Sequence, residues 1–217
     1  MADIEVRMLC ADDEDRVRQF VCIEFVDKEP LSKSLNMTGG EDGVLLFDVA
    51  FPVCLKDRLS VLAIDSSTGE IVGLRFAAIV YKDKPDAYNF SKDDPKMRKL
   101  ALNYEITDKL YEGLDLFAKY NVDTLVNFRG ICVAEKYQRQ GIWTKMVAKT
   151  LQLTQERNFR LVTAESSGRF SSRIFEKFGF EKLVQHDYNS LFLDGEPLNM
   201  TDESRFHQGI SLHVKIM

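Results

Sequence analysis

Apolar positions along this chain recur with two periods, near two and near 3.6, and the switches between them outline an alternating α/β order. Residues 4–9 alternate and predict a strand. Asp12-Asp13-Glu14-Asp15 then supplies a cap and an acidic first turn for a helix with Val17, Phe20 and Val21 on one face. Pro30 breaks the period, a short helical segment is expected over 31–37, and Gly39-Gly40 ends it. A longer helix is expected over 43–56 despite Pro52. Residues 59–65 and 70–81 read as strands joined by the polar turn Ser66-Ser67-Thr68-Gly69, which makes a hairpin. After the polar, aperiodic stretch 82–94, one helical pattern runs from about 95 to 120, with Leu100, Ile106, Leu110, Leu114 and Phe117 on its buried face. An apolar strand over 125–133, an amphipathic helical stretch to about 157, a short strand over 159–164 and a short helix stopping at Gly179 follow. The polar segment 189–208, with a turn at Asp194-Gly195-Glu196-Pro197, precedes an alternating closing strand over 209–217.

Composition narrows the class. With 217 residues, 45% hydrophobic and 29% charged, the chain can fill one core, and a single domain over 1–217 is expected, without repeats or linkers. No apolar run approaches the ~20 residues needed to cross a bilayer, and the acidic start Met1-Ala2-Asp3-Ile4-Glu5 lacks a signal peptide's basic and apolar regions. A cytoplasmic protein without a membrane partner is the expectation. Cys10, Cys22, Cys54 and Cys132 form no CxxC pair, so they are expected to be reduced and mostly buried, with neither zinc nor a disulfide framework. The three histidines and the carboxylates show no ligand spacing, and no metal is expected. A net charge of -5 argues against nucleic-acid binding and suits a cationic small molecule.

The most informative segment is Gln138-Arg139-Gln140-Gly141-Ile142-Trp143, where the strand over 125–133 hands over to a helix. A helix start leaves backbone N–H groups unpaired and carries partial positive charge, so this turn reads as an anion cradle fit for a pyrophosphate. Gly141 permits close backbone approach, Arg139 adds a charge-assisted donor, and Thr144 completes the first helical turn.

This turn resembles the acyl-CoA-binding segment of the GNAT superfamily of acetyltransferases, Q/R-x-x-G-x-G/A, with Gln138 and Gly141 matching and Trp143 standing where the family has a small residue. Ser171-Ser172-Arg173-Ile174-Phe175-Glu176-Lys177-Phe178-Gly179-Phe180 resembles a second hallmark, the short helix ending in a K-x-G-F-like turn beside the coenzyme. Glu29-Pro30-Leu31 is similar to the E-P-L segment of the arylalkylamine N-acetyltransferase-like (dopamine N-acetyltransferase-like) branch of invertebrates. The resemblance implies an α/β fold of GNAT type: a mixed central sheet of about seven strands flanked by helices, with a splayed central strand at the acetyl-CoA site. It also implies an enzyme using acetyl-CoA as co-substrate, with no metal, to acetylate the primary amine of a small serotonin-, dopamine- or tyramine-like acceptor directly. The alternatives are an acetyltransferase for polyamines or protein amines, and an acyl-CoA-binding protein without turnover, motivated by Trp143 and Phe175. Monomer and homodimer are both compatible.

Residue roles carry over position by position. An alkylammonium has a pKa near ~10.4 and must lose a proton before attack, and the resemblance assigns the base to Glu29. The oxyanion and the pantetheine amides would meet backbone groups of Ile131, Cys132 and Val133. Gln138, Arg139, Gln140, Gly141, Ile142, Trp143, Thr144 and Arg173 would hold the coenzyme. Phe175 stands where many members have a tyrosine that protonates the leaving thiolate, so Ser167 and Ser171, proposed to assist in this branch, are the candidates for relay. Helix capping is an equally good reading of Ser171, and Cys132 reads as a core residue and not a nucleophile. Of His186, His207 and His213, only His213 is placed by alternation to reach the acceptor cavity, and it ranks below Glu29 as base. Phe47, Phe51, Tyr104, Tyr88 and Phe90 are candidate pocket residues, with simple packing as the alternative.

Overall fold

A computed structural model describes residues 3–84, 93–193, 195–198, 200 and 207–217. Seven strands form one mixed sheet: β1 (Ile4–Met8), β2 (Val61–Asp65), β3 (Ile71–Tyr81), β4 (Thr124–Val133), β5 (Leu161–Ser166), β6 (Glu181–Asp187) and, last in the chain, β9 (Gly209–Ile216). Their order is β1-β2-β3-β4-β5-β9-β6. A two-stranded hairpin, β7 (Phe192–Leu193) with β8 (Glu196–Pro197), turns at Gly195, whose φ of 83° is one that glycine adopts freely. The helices are α1 (Glu14–Phe20), α2 (Pro30–Ser34), α3 (Glu41–Asp57), α4 (Arg98–Asp108), α5 (Leu116–Tyr120), α6 (Ile142–Glu156) and α7 (Arg169–Lys177).

Alternation on β3 sorts the layers. Gly73 and Arg75 face α6 and α7: a Cβ on Gly73 would lie 3.0 Å from Met146 Cε, and the Arg75 guanidinium sits over the Phe175 ring. Leu74 and Phe76 face the opposite side, toward α1 and α3 and the mouth of a cleft. One core joins most of these layers around residues such as Val17, Phe47, Phe128 and Met146, and a second gathers Leu31, Ile106, Leu110, Leu161 and Leu212 under α4.

The break that matters for function lies in the middle of the sheet. β4 and β5 are parallel neighbours over Val126–Val162, Asn127–Thr163 and Phe128–Ala164 only. Past Phe128, β4 runs on through Arg129 to Val133 paired with β3 alone among the described residues. A bulge sits at the same point, with Ala77 opposite Phe128 and Arg75 opposite Ile131, so β4 carries one extra residue and turns away from β5. The seven-stranded mixed sheet with a splayed central strand is therefore present.

Two sequence expectations need correction. The helix expected over 95–120 is broken: α4 ends at Asp108, a 3-10 turn covers 109–111, Gly113 takes a φ of 72°, and α5 begins afresh with the Asp115 carboxylate accepting from Ala118 N–H. The apolar spacing carried through that break, because both halves bury residues in the same core. The strand expected over 159–164 starts at Leu161, since Asn158 at a φ of 60° closes the end of α6 and Phe159 N–H still bonds to Thr154 carbonyl. The first helix, expected to include Val21, continues beyond α1 as a π-helical turn, Val21–Phe25, which carries the chain toward the cleft.

Candidate active site

A cleft of about 1120 Å³ opens where β4 and β5 part. On one wall the chain leaves β4 through a 3-10 turn, Glu135–Tyr137, and reaches α6 by way of Gln138 in extended geometry, Arg139 at a φ of 62° and Gly141 at 74°. Gly141 is the N-cap, and helix geometry leaves the N–H groups from Gly141 to Thr144 without intrahelical partners. A Cβ on Gly141 would meet nothing within 4 Å, so its positive φ, and not crowding, demands glycine. Of the residues expected to hold the coenzyme in this turn, Gln138, Arg139, Gly141, Ile142, Trp143 and Thr144 line the cleft, whereas Gln140 is exposed and outside the lining.

Ile131, Cys132 and Val133 line the cleft along the edge of β4 that β5 has abandoned. The Cys132 thiol donates to Glu24 carbonyl at 2.9 Å, and burial pushes it up to about 12. It is the thiol form at neutral pH, which agrees with a packing role. Cysteine burial as a whole is less complete than expected: Cys54 is buried, Cys22 and Cys132 are half-buried, and Cys10 is exposed.

Glu29 enters from the opposite side as the N-cap of α2. Its Oε1 accepts from Leu31 N–H at 3.0 Å and its Oε2 from Ser32 N–H at 2.6 Å, with Pro30 at the first helical position. The carboxylate is thus oriented by the backbone, and it lines the cleft.

α7 forms the third side. Ser167 precedes its N-cap, Gly168, and its carbonyl accepts from Tyr188 hydroxyl at 2.6 Å. Ser171 lies inside the first turn and its hydroxyl donates to Gly168 carbonyl at 2.7 Å, so it does not cap the helix. Both serines line the cleft. Arg173 is exposed and outside the lining, and Lys177, one turn further, takes its place there. Phe175 is buried, its ring 6.2 Å from Trp143, 5.2 Å from Phe180 and 5.6 Å from His213. Trp143 therefore packs inward on Phe175. Beneath them the buried Arg75 stacks 4.2 Å from the Phe128 ring centre, with its Nε and Nη2 unpartnered among the described residues; burial pulls it down to about 9, against the opposing charge of Glu165.

The histidine expectations change. His213 does not reach the cleft: it pairs with Ala164 in register, which turns it toward Phe175, and its Nε2 lies 3.0 Å from Ser166 Oγ. His186 contacts Lys109 carbonyl at 3.2 Å, away from the cleft. His207 is the one that lines it, its Nδ1 accepting from Arg169 N–H at 3.1 Å; burial lowers its pKa while the Glu29 charge opposes. Phe47 and Phe51 stack on each other at 4.7 Å in the core and not in the pocket, Tyr104 lines it, and Tyr88 and Phe90 lie outside the described residues.

Sequence reasoning missed a polar group on the cleft floor. Glu165 of β5 accepts from the Tyr111 hydroxyl and from Asn127 Nδ2 at 2.7 Å, and the same Nδ2 lies 3.0 Å from Thr163 Oγ1. Arg129 and Asp108 also line the cleft. The signal was available: Asn127 and Arg129 on β4, and Thr163 and Glu165 on β5, are polar at i and i+2 in otherwise apolar strands. Among the described residues no group of three or more His, Cys, Asp or Glu is arranged to hold a metal, and no helix is long and apolar enough to cross a membrane.

No family model matches the sequence. Solved structures do match its fold over nearly the full length. Arylalkylamine N-acetyltransferase 2 from Aedes aegypti superposes with a TM-score of 0.86 at 22% identity, covering 99% of each chain. A mosquito arylalkylamine N-acetyltransferase like 5b gives 0.84 at 19% identity, over 99% of this chain and 100% of that one. Drosophila melanogaster polyamine N-acetyltransferase, which catalyses formation of N-acetylagmatine, gives 0.80 at 14% identity, again over 99% and 100%. The chain therefore has the GNAT fold.

Proposed function

We propose that this protein transfers an acetyl group from acetyl-CoA directly to the primary amine of a small arylalkylamine. One observation carries the reading: the positive end of α6 and the abandoned edge of β4 open into the same cleft as the Glu29 carboxylate. A cleft of about 1120 Å³ exceeds the ~300–1,000 Å³ of ordinary small-ligand sites, which suits a pantetheine arm together with an acceptor. Acetyl-CoA supplies an acyl carbon already activated as a thioester.

The residues divide the work. N–H groups from Gly141 to Thr144, with Arg139, hold the pyrophosphate. Backbone groups of Ile131 to Val133 bind the pantetheine and stabilise the oxyanion, an effect commonly worth ~3 kcal/mol. Glu29 takes one proton from the ammonium. The freed nitrogen attacks the carbonyl carbon, the C–S bond breaks, and the nitrogen's second proton reaches the thiolate through the hydroxyl of Ser171 or Ser167. Phe175 cannot donate a proton, and a thiol with a pKa near ~8.5 leaves without a strong acid.

The test is thiol release from acetyl-CoA with tyramine, tryptamine, dopamine, putrescine, agmatine and a lysine peptide, beside calorimetry of acetyl-CoA alone. Turnover with the aromatic amines is expected. Turnover confined to the polyamines or the peptide would move the acceptor class, binding without turnover would leave an acyl-CoA-binding protein, and absence of binding would overturn the reading. Glu29→Gln, whose amide oxygen still accepts from the α2 backbone, should retain coenzyme binding and lose roughly 10²- to 10⁴-fold in kcat.

A further inference from the structure

Glu165 is the first residue of β5 past the final parallel pair, Phe128 with Ala164, so it stands where the two strands part. Its side chain lines the cleft. The Tyr111 hydroxyl and Asn127 Nδ2 both donate to Oε1, which holds the carboxylate in place by one oxygen. Oε2 takes no hydrogen bond from a described residue, and Glu165 forms no salt bridge among them. A half-buried carboxylate held by one oxygen keeps the other available to accept a charge-assisted hydrogen bond from a cationic ligand.

Its neighbours register the charge. Burial first, and then the charge of Glu165, raises the Tyr111 phenol well above its usual range. The Asp108 carboxyl is raised by burial and by Glu165 and Glu105 together. Arg129, on the same wall, is lowered by burial, with Glu165 opposing. The floor of the cleft is a preformed acceptor of positive charge, built from three elements: Tyr111 after α4, Asn127 on β4 and Glu165 on β5.

We propose that Glu165 docks the acceptor's ammonium through Oε2, holding the nitrogen at the parting of β4 and β5 while Tyr111 and Asn127 orient the carboxylate. This assignment rests on the amine-transfer reading. It makes Glu165 a binding residue, distinct from the proton-accepting role given to Glu29, and it selects acceptors that arrive as ammonium ions over neutral hydroxyl isosteres.

Steady-state kinetics of thiol release with the best-used amine of the panel separate the two ideas. Glu165→Gln should raise the amine KM roughly ten- to hundred-fold, the worth of a charge-assisted hydrogen bond, with kcat at saturating amine, acetyl-CoA affinity and melting temperature unchanged. Tyr111→Phe keeps the carboxylate but frees it, and should raise the amine KM by a smaller factor; it carries the test if Glu165→Gln does not fold. An unchanged amine KM in the folded variants, or a fall in kcat at constant KM, overturns the docking role alone. Absence of turnover by the unsubstituted protein overturns the transfer reading, and the docking role with it.

Discussion

His213 is a neutral histidine locked inside the packing under α7. Burial pulls it from 6.5 down to about 4, with Lys182 adding to the shift and Glu176 opposing it. The unfolded chain therefore binds a proton that the folded chain refuses. Stability from this residue is complete above pH 6.5 and drains away as pH falls from 6.5 toward 4, by on the order of 3 kcal/mol. Urea midpoints at pH 7.5, 5.5 and 4 should fall more steeply for the natural protein than for His213→Phe. Cys132 makes the opposite kind of prediction. With its thiol near 12 and bonded to Glu24 carbonyl, it should resist iodoacetamide at pH 7.5 while the protein is folded, and Cys132→Ala should keep its turnover.

Elements are held at their ends, and those ends coincide with the site. Glu29 secures the first turn of α2 with two backbone hydrogen bonds, so Glu29→Ala should cost about 1 kcal/mol of stability as well as activity, and a melting curve beside the kinetics separates the two. At the entry to α1 the Asp13 carboxylate accepts from Arg7 at 2.6 and 2.7 Å and from Cys10 N–H at 3.1 Å, joining β1 to the helix. The Arg7 hydrogen bonds hold it at about 2, below its usual 3.8. Its contribution, on the order of 2 kcal/mol, is complete above pH 3.8 and lost as pH falls through 2, so Asp13→Asn should lower the urea midpoint at pH 7. At the start of α6, Gly141→Ala forces an L residue to a φ of 74°, and should cost about 1 to 2 kcal/mol and weaken acetyl-CoA binding through the displaced turn.

On the scale of the whole molecule, the cleft exists because the sheet is interrupted at its centre. β3 and β9 complete the hydrogen bonding on either side of the parted pair, so the opening does not unravel the sheet. A ligand that bridges the two walls should stabilise the fold by mass action. Acetyl-CoA at a hundred-fold excess over its Kd should add about 2.7 kcal/mol, seen as a rise of several degrees in melting temperature, while adenosine alone should leave it unchanged.

The periodicity of the chain determined six of the seven sheet strands and most of the helices, because burial of one face imposes a period that neighbouring residues must share, whereas β6, with no alternating buried face, was not legible that way. The turn at Gln138 to Trp143 was legible for a similar reason: a helix start and a positive φ at glycine are local requirements. What the tertiary structure alone decided was which polar residues meet. Asn127, Tyr111 and Glu165 are far apart in the chain and come together only where the bulge in β4 parts it from β5. His213 was turned away from the cleft by strand register, and His207 lines it instead; alternation encodes neither outcome. Local patterns specify the faces of elements; the register between strands decides which side chains share a site.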